Sequence, residues 1–200
     1  VDSKLITDPN FEIADTSQVT FDGKPISISA YHYVLLHKPA SYVCAVEHAE
    51  YPSVLDLVKN RPDDHYYYFA NVLAPELTGL VLLSDDARWT SRMKRKLLKK
   101  PCVYHARSRE GFSEDQLQQI KDAWLSPSQI QTGPIVGIEK QDERTLLLKT
   151  NQPRVEGIMD IFSPVGQSIE RLHLQQFGRL SLGNLIEGDY LELTENEIRV

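Results

Sequence analysis

Short apolar runs predict strands along most of the chain. Runs rich in β-branched and aromatic residues occupy positions 31–37, 42–46, 80–83 and 101–106. In the last third of the chain, two such runs at 135–139 and 145–149 predict a hairpin, and further strands are predicted at 169–174 and 190–193. The sequence therefore favours a sheet built largely from neighbouring, antiparallel strands.

Segments with helical periodicity lie between these predicted strands. Trp89, Met93 and Leu97 lie four residues apart and predict one buried stripe on a helix that starts at the acidic pair Asp85 and Asp86. A second helix has a capping box, Ser113 with Gln116, at its start. The helices predicted from periodicity are 89–100, 113–124 with Leu117, Ile120 and Trp124 buried, and 155–162. Ser53 is a plausible helix N-cap.

The first 28 residues predict a small unit of their own. Asp22 and Gly23 separate two short extended runs, and both residue types tolerate the positive φ that a tight hairpin needs. We divide the chain into residues 1–28 and a main domain at 29–200. Val1 is not an initiator Met, and the first residues contain no signal-peptide apolar run, so we expect the sequence to begin inside a longer chain.

Composition places the chain among water-soluble globular proteins. Hydrophobic residues make up 41% and charged residues 25%, and no apolar run approaches the roughly 18 residues of a membrane span. Cys44 and Cys102 are far apart, which favours the reducing cytoplasm over a disulfide scaffold. The six histidines have no zinc-ligand spacing and no glycine-rich phosphate loop is present, so we predict neither a metal nor a cofactor.

Four motifs resemble the small-subunit rRNA branch of the pseudouridine synthases. Leu36 to Pro39 is similar to that family's apolar strand ending in Asn-Lys-Pro, with His37 in place of the Asn. Residues 71–80 match the signature Gly-Arg-Leu-Asp-x-x-Thr-x-Gly-Leu, which continues into a strand and an acidic helix start. The strand with Tyr104 and the ending at 194–198 also match. The resemblance implies an α/β (α+β) domain with a mostly antiparallel mixed sheet and flanking helices, preceded by part of an S4-like RNA-binding module. It also implies a helix at 53–58.

The residues that carry the family's chemistry are largely replaced. Where the resemblance requires the nucleophilic aspartate the chain has Ala74, and where it requires the arginine that holds this aspartate it has Val72. Tyr104 falls on the active-site tyrosine, which implies stacking on the target base. On the late helix Arg154 is retained, but Met159 and Asp160 occupy the basic positions. Because several positions of one site have changed, the resemblance implies natural divergence rather than a single engineered replacement.

Net charge limits how the chain could bind RNA. The formal charge is −6, so phosphate contacts require a local basic surface. A solvated helix face is the alternative explanation for a basic cluster. The RNA-binding candidates are Arg88, Arg92, Arg95, Lys96, Lys99 and Lys100, together with Lys38 and Arg154.

Three functions remain open from the sequence. The first is a catalytically inactive relative of the rRNA pseudouridine synthases that binds structured RNA or the small ribosomal subunit. The second is an active synthase, an isomerase, in which another carboxylate such as Asp63, Asp64 or Glu76 replaces the nucleophile. The third is a protein-interaction module that no longer binds RNA, which the acidic balance favours.

Overall fold

The computed structural model describes residues 1–14, 17–26, 31–59, 66–124, 135–151, 158, 162 and 165–199. These residues form two compact units, Val1–Tyr31 and His32–Val200. Among the described residues, no helix combines the length and the apolar character needed to cross a bilayer.

The first unit contains the predicted hairpin. Strands β1 (Val19–Phe21) and β2 (Lys24–Ile26) pair antiparallel. The two turn residues have φ angles of 50° at Asp22 and 77° at Gly23. Both lie in the left-handed region, as expected for the turn that matches the twist of the two strands.

The second unit is an α/β fold in which most strands are antiparallel to their neighbours. Its strands are β3 (Tyr33–Lys38), β4 (Tyr68–Phe69), β5 (Thr78–Ser84), β6 (Cys102–Ser108), β7 (Ile135–Lys140), β8 (Thr145–Thr150), β9 (Ile169–Phe177), β10 (Leu180–Ser181) and β11 (Tyr190–Glu192). Its helices are α1 (Ala87–Leu97), α2 (Glu114–Trp124) and the single-turn α3 (Glu195–Ile198), and a short 3₁₀ helix spans Val54–Leu57.

Within the described residues the strands form one nine-stranded sheet. Its order is β11-β3-β5-β9-β6-β8-β7, with β4 paired to β5 and β10 paired to β9. The contact between β5 and β9 is parallel, and the other pairs are antiparallel. The fold class predicted from the sequence is therefore confirmed.

Helix α1 packs on the sheet through the predicted stripe. Trp89, Met93 and Leu97 are all buried. The Trp89 ring meets Tyr33 edge to face, with 5.0 Å between centroids, and its Nε1–H donates to the carbonyl of Ile198 at 2.9 Å. The predicted acidic start is also confirmed, because Asp86 is the N-cap and its side chain accepts the backbone N–H of Arg88 and Trp89.

Two local predictions need correction. The strand predicted at 42–46 does not form, because Val43 makes only an isolated bridge to Ser53 and its neighbours join no ladder. The helix predicted after Ser53 is limited to a single 3₁₀ turn, although Ser53 and Asp56 form the capping box that starts it. The helix predicted at 155–162 lies largely outside the described residues.

Candidate functional site

The turn at residues 74–77 occupies the position that the sequence analysis assigned to the nucleophile. The N–H of Leu77 donates to the carbonyl of Ala74 at 3.0 Å, which closes the turn just before β5. Ala74 and Glu76 are exposed, and the Val72 side chain is 62% exposed. The turn thus presents a methyl group to solvent at position 74.

A buried lysine holds this turn from inside. The Lys38 ammonium donates to the carbonyls of Pro39 at 3.0 Å, Pro75 at 3.1 Å and Leu77 at 2.6 Å. All three ammonium hydrogens are therefore used. Lys38 is 0% exposed, and burial lowers its pKa. Lys38 was predicted to contact RNA, and in this structure its ammonium is enclosed by three backbone carbonyls.

Gly79 fixes the strand that follows the turn. Its φ is +126°, and a Cβ added there would lie 2.3 Å from the carbonyl oxygen of Leu174 on β9. Only glycine permits this backbone geometry and this close approach. The parallel contact between β5 and β9, which positions the turn on the sheet, consequently depends on the glycine retained from the signature.

Tyr104 is not accessible in this structure. It lies on β6 opposite Leu148 and Leu174, is 1% exposed, and belongs to the hydrophobic core. Burial raises the pKa of its phenol far above the ordinary value. The resemblance implies that Tyr104 stacks on the target base, but in this structure the ring is covered on the core face of the sheet and offers no stacking surface.

The other predicted basic residues lie on or just after α1. Residues 87–100 contain seven Lys or Arg and no Asp or Glu. A surface groove of about 410 Å³ is lined by Arg92, Arg95, Lys96, Leu98 and Lys99. Arg88 is exposed on the same helix and Lys100 is half-buried after it. The structure thus brings the α1 candidates together, whereas Arg154, Met159 and Asp160 lie outside the described residues.

The sequence analysis missed a polar cavity on the opposite face of β6 from Tyr104. His105 and Arg107 alternate with the buried residues of β6, and Arg171 and His173 do the same on β9. The signal was a histidine and an arginine two positions apart in each of two predicted strands, since such residues share a face. Within the described part of the chain, no group of three or more His, Cys, Asp or Glu has metal-site geometry.

Comparison with known proteins identifies relatives over the whole chain. No family model matches. The chain is 26% identical over 201 residues to ribosomal small subunit pseudouridine synthase A of Vibrio parahaemolyticus, covering 99% of this chain and 86% of that protein. It is 27% identical, with the same coverage, to the enzyme of that name from Escherichia coli K12.

Solved structures share the fold. A pseudouridylate synthase crystal structure superposes with a TM-score of 0.67 at 22% identity, covering 99% of this chain and 86% of that one. A chain of an H/ACA RNP bound to a substrate RNA gives a TM-score of 0.52 at 15% identity, covering 75% of this chain and 48% of that one. The resemblance to the small-subunit rRNA pseudouridine synthases is therefore confirmed in sequence and in fold.

Proposed function

We propose that this chain binds structured RNA of the small ribosomal subunit and does not isomerise uridine. The observation that carries the proposal is the exposed methyl group of Ala74 on a turn that Lys38 still holds. A methyl group can neither attack the sugar of a uridine nor accept a proton. The retained backbone with an inert side chain favours binding over catalysis.

Val72 supports the same conclusion. At this position the resemblance implies an arginine beside the nucleophile, but the chain presents an exposed apolar side chain. Glu76 is a carboxylate on the same turn, but it lies two residues after Ala74 and its side chain is exposed to solvent. The described residues of the turn therefore favour an inactive site.

The basic groove of α1 is the surface best suited to RNA. It concentrates positive charge in a protein whose formal charge is −6, and phosphate contacts supply most of the affinity in nucleic-acid binding. Basic residues near a helix C-terminus also interact favourably with the helix dipole, which is the structural alternative. The relatives are named as ribosomal small subunit enzymes, so we propose small-subunit rRNA as the RNA that is bound. We place the protein in the cytoplasm with that RNA.

The test is binding of small-subunit rRNA fragments at low and moderate salt. We expect salt-sensitive binding, and replacement of Arg92 and Arg95 by Ala should weaken it and reduce the slope of log K against log salt by about 2, roughly one for each lost phosphate contact. Fluorescence anisotropy over a salt series measures both quantities.

The matched control is the double variant Arg109→Ala, Arg179→Ala. Both arginines are exposed and lie off α1, so this variant has the same net charge as the test variant. An equal loss of affinity in the two double variants would mean that overall charge, and not the α1 groove, determines binding. Unchanged binding in Arg92→Ala, Arg95→Ala would remove the groove from the proposal.

A protein partner is the second candidate. Tyr66, Tyr68 and Val72 are 77%, 45% and 62% exposed, and they precede the turn at 74–77. Exposed aromatic and apolar side chains favour protein contacts. Absence of RNA binding even at low salt would favour this candidate over the first.

A further inference from the structure

The polar face of β6 and β9 contains a cavity that the proposed function does not use. Its volume is about 410 Å³, within the range of small-ligand sites. Lys38, Tyr104 and the α1 groove do not line it. The lining residues are His37, His105, Arg107, Gln141, Asp142, Thr145, Arg171, His173, Gln175 and Glu187.

Side chains of the same type lie opposite each other on β6 and β9. Arg107 on β6 lies directly opposite Arg171 on β9, and His105 lies directly opposite His173. Directly opposed residues of an antiparallel pair have close Cβ atoms, and like charges at such positions repel each other. The His105 and His173 rings are 6.0 Å apart, and His37 adds a third ring 5.0 Å from His173. An anion between these groups would relieve the repulsion.

Arg171 and His173 are held in one fixed network. Arg171 forms an ion pair with Glu187 and donates its Nε–H to the Thr78 hydroxyl at 3.0 Å. That hydroxyl in turn donates to Nδ1 of His173 at 2.9 Å, and Nε2–H of His173 donates to Gln175 at 3.1 Å. These bonds suit the neutral ring of His173, and burial lowers its pKa to about 4. These residues form a rigid wall.

Arg107 and His105 are the groups left for a ligand. Among the described residues, neither side chain forms a hydrogen bond or an ion pair, so their donors are unused. Asp142 at the cavity rim acts on both side chains electrostatically, but its carboxylate is exposed and accepts the backbone N–H of Arg144 at 2.8 Å. A guanidinium and an imidazole two residues apart on one strand face match the oxygens of a phosphate group.

We propose that this cavity is a phosphate-binding site, in which Arg107 and His105 contact the phosphate oxygens and the Arg171, Thr78 and His173 network forms the wall. The phosphate belongs to a mobile nucleotide or inorganic phosphate, or to an RNA. The site lies on the opposite sheet face from Tyr104 and does not depend on RNA binding by α1.

Binding at this site becomes tighter as pH falls. The groups that face His105 are His173, Arg107, Arg171, His37, Asp142 and Glu187. Burial lowers the pKa of His105, so its ring is neutral in the empty cavity near neutral pH. A bound phosphate favours the protonated ring, and by linkage protonation of His105 strengthens phosphate binding.

The test uses the full chain and three probes: inorganic phosphate, uridine monophosphate and a short oligoribonucleotide. Histidine ring resonances in NMR spectra report binding at His105 and His173. We expect phosphate to shift these resonances, with a dissociation constant that rises about tenfold or more in Arg107→Gln, which removes the charged hydrogen bonds. For the oligoribonucleotide, whose phosphodiester charge is constant near neutral pH, the dissociation constant should also rise as pH is raised. Arg107 is exposed, so Arg107→Gln should fold normally.

The control is Arg144→Gln, which removes an exposed arginine on the neighbouring hairpin that does not line the cavity. Similar affinities for phosphate and uridine monophosphate identify a mobile phosphate ligand. Tighter binding of the oligoribonucleotide, lost in Arg107→Gln, identifies an RNA phosphate. No shift of the His105 signal with any probe, or equal weakening in both arginine variants, would overturn the proposal.

Discussion

At the scale of single residues, Lys38 supports the backbone of the turn at 74–77, and Ala74 is the side chain that the turn presents to solvent. The Lys38 ammonium donates to two carbonyls of the turn, Pro75 and Leu77, and the Pro75 carbonyl also accepts the backbone N–H of Ser41 at 2.8 Å. This support does not depend on which side chain stands at position 74. The conformation of the turn is therefore compatible with an alanine at position 74, in a chain whose fold resembles that of the pseudouridine synthases.

His173 should make the free energy of unfolding depend on pH in the acidic range. His173 has a native pKa of about 4, below its ordinary value of 6.5, because it is buried beside other basic groups. Between those values the unfolded chain binds a proton that the native protein does not, so the free energy of unfolding falls as pH drops from 6.5 towards 4. We expect this residue to account for about 2 kcal/mol, since its ring is only partly shielded from solvent.

Urea unfolding over this pH range, in buffer without phosphate, measures the effect. His173→Gln should flatten the pH dependence of the free energy of unfolding relative to the parent protein. His48→Gln, which replaces an exposed histidine away from the cavity, is the matched control. An identical pH dependence in His173→Gln and in the parent protein would exclude His173 as the cause.

The sequence did not predict that the side chains of Lys38 and Tyr104 are buried. Lys38 was predicted as a phosphate contact, but its ammonium is buried and two of its three acceptors come from a turn nearly 40 residues away. Tyr104 was assigned to base stacking by its match to a motif, yet the motif does not specify how much chain packs over the strand face. Both side chains are buried by long-range contacts, which a local pattern does not contain.

At the scale of elements, the turn at 74–77 should depend on its internal lysine. Lys38→Met keeps an unbranched apolar stem but removes the donor to the carbonyls of Pro39, Pro75 and Leu77. We expect a loss of about 3 kcal/mol, because the carbonyls of Pro39 and Leu77 lose their side-chain donor, whereas that of Pro75 keeps the N–H of Ser41. In a chain of this size that corresponds to a fall in Tm of ~10 °C.

Calorimetry or circular dichroism measures the change in Tm. Lys99→Met is the matched control, since Lys99 is exposed just after α1 and its loss should change Tm by little. If Lys38→Met melts at the temperature of the parent protein, the lysine does not support the turn. A similar fall in both variants would point to a general effect of lost charge.

Elements with local signals were predicted well. The hairpin at Asp22 and Gly23, the N-cap Asp86 and the capping box of Ser113 with Gln116 all form as predicted, because their hydrogen bonds join residues close in sequence. The run at 42–46 has strand composition but finds no neighbouring strand. Strand propensity alone does not supply a partner, so this element failed.

At the scale of the whole molecule, the sheet order was predictable only through the resemblance. Strands β3 and β5 are separated by 39 residues in sequence and β5 meets β9 across more than 80, so periodicity alone gives no pairing. The cavity between β6 and β9 arises from the same pairing, since it places His105 opposite His173. The α1 cluster, in contrast, is contiguous in sequence and was identified directly.

The distribution of charge over the whole molecule favours RNA binding through one surface. The seven basic residues at 87–100 lie in a chain of formal charge −6, so positive potential is concentrated at one surface while the rest of the protein is acidic. Such an arrangement favours RNA association through one face and disfavours nonspecific coating of RNA. The central claim is therefore that RNA binds but is not modified.

The most direct test is to measure pseudouridine in the RNA that the protein binds. Small-subunit rRNA is incubated with excess protein at low salt, the complex is isolated, and the nucleosides of the bound RNA are analysed. We predict a salt-sensitive complex whose pseudouridine content equals that of RNA incubated without protein. Formation of pseudouridine approaching one per bound RNA would contradict the account and establish an active synthase with a displaced nucleophile.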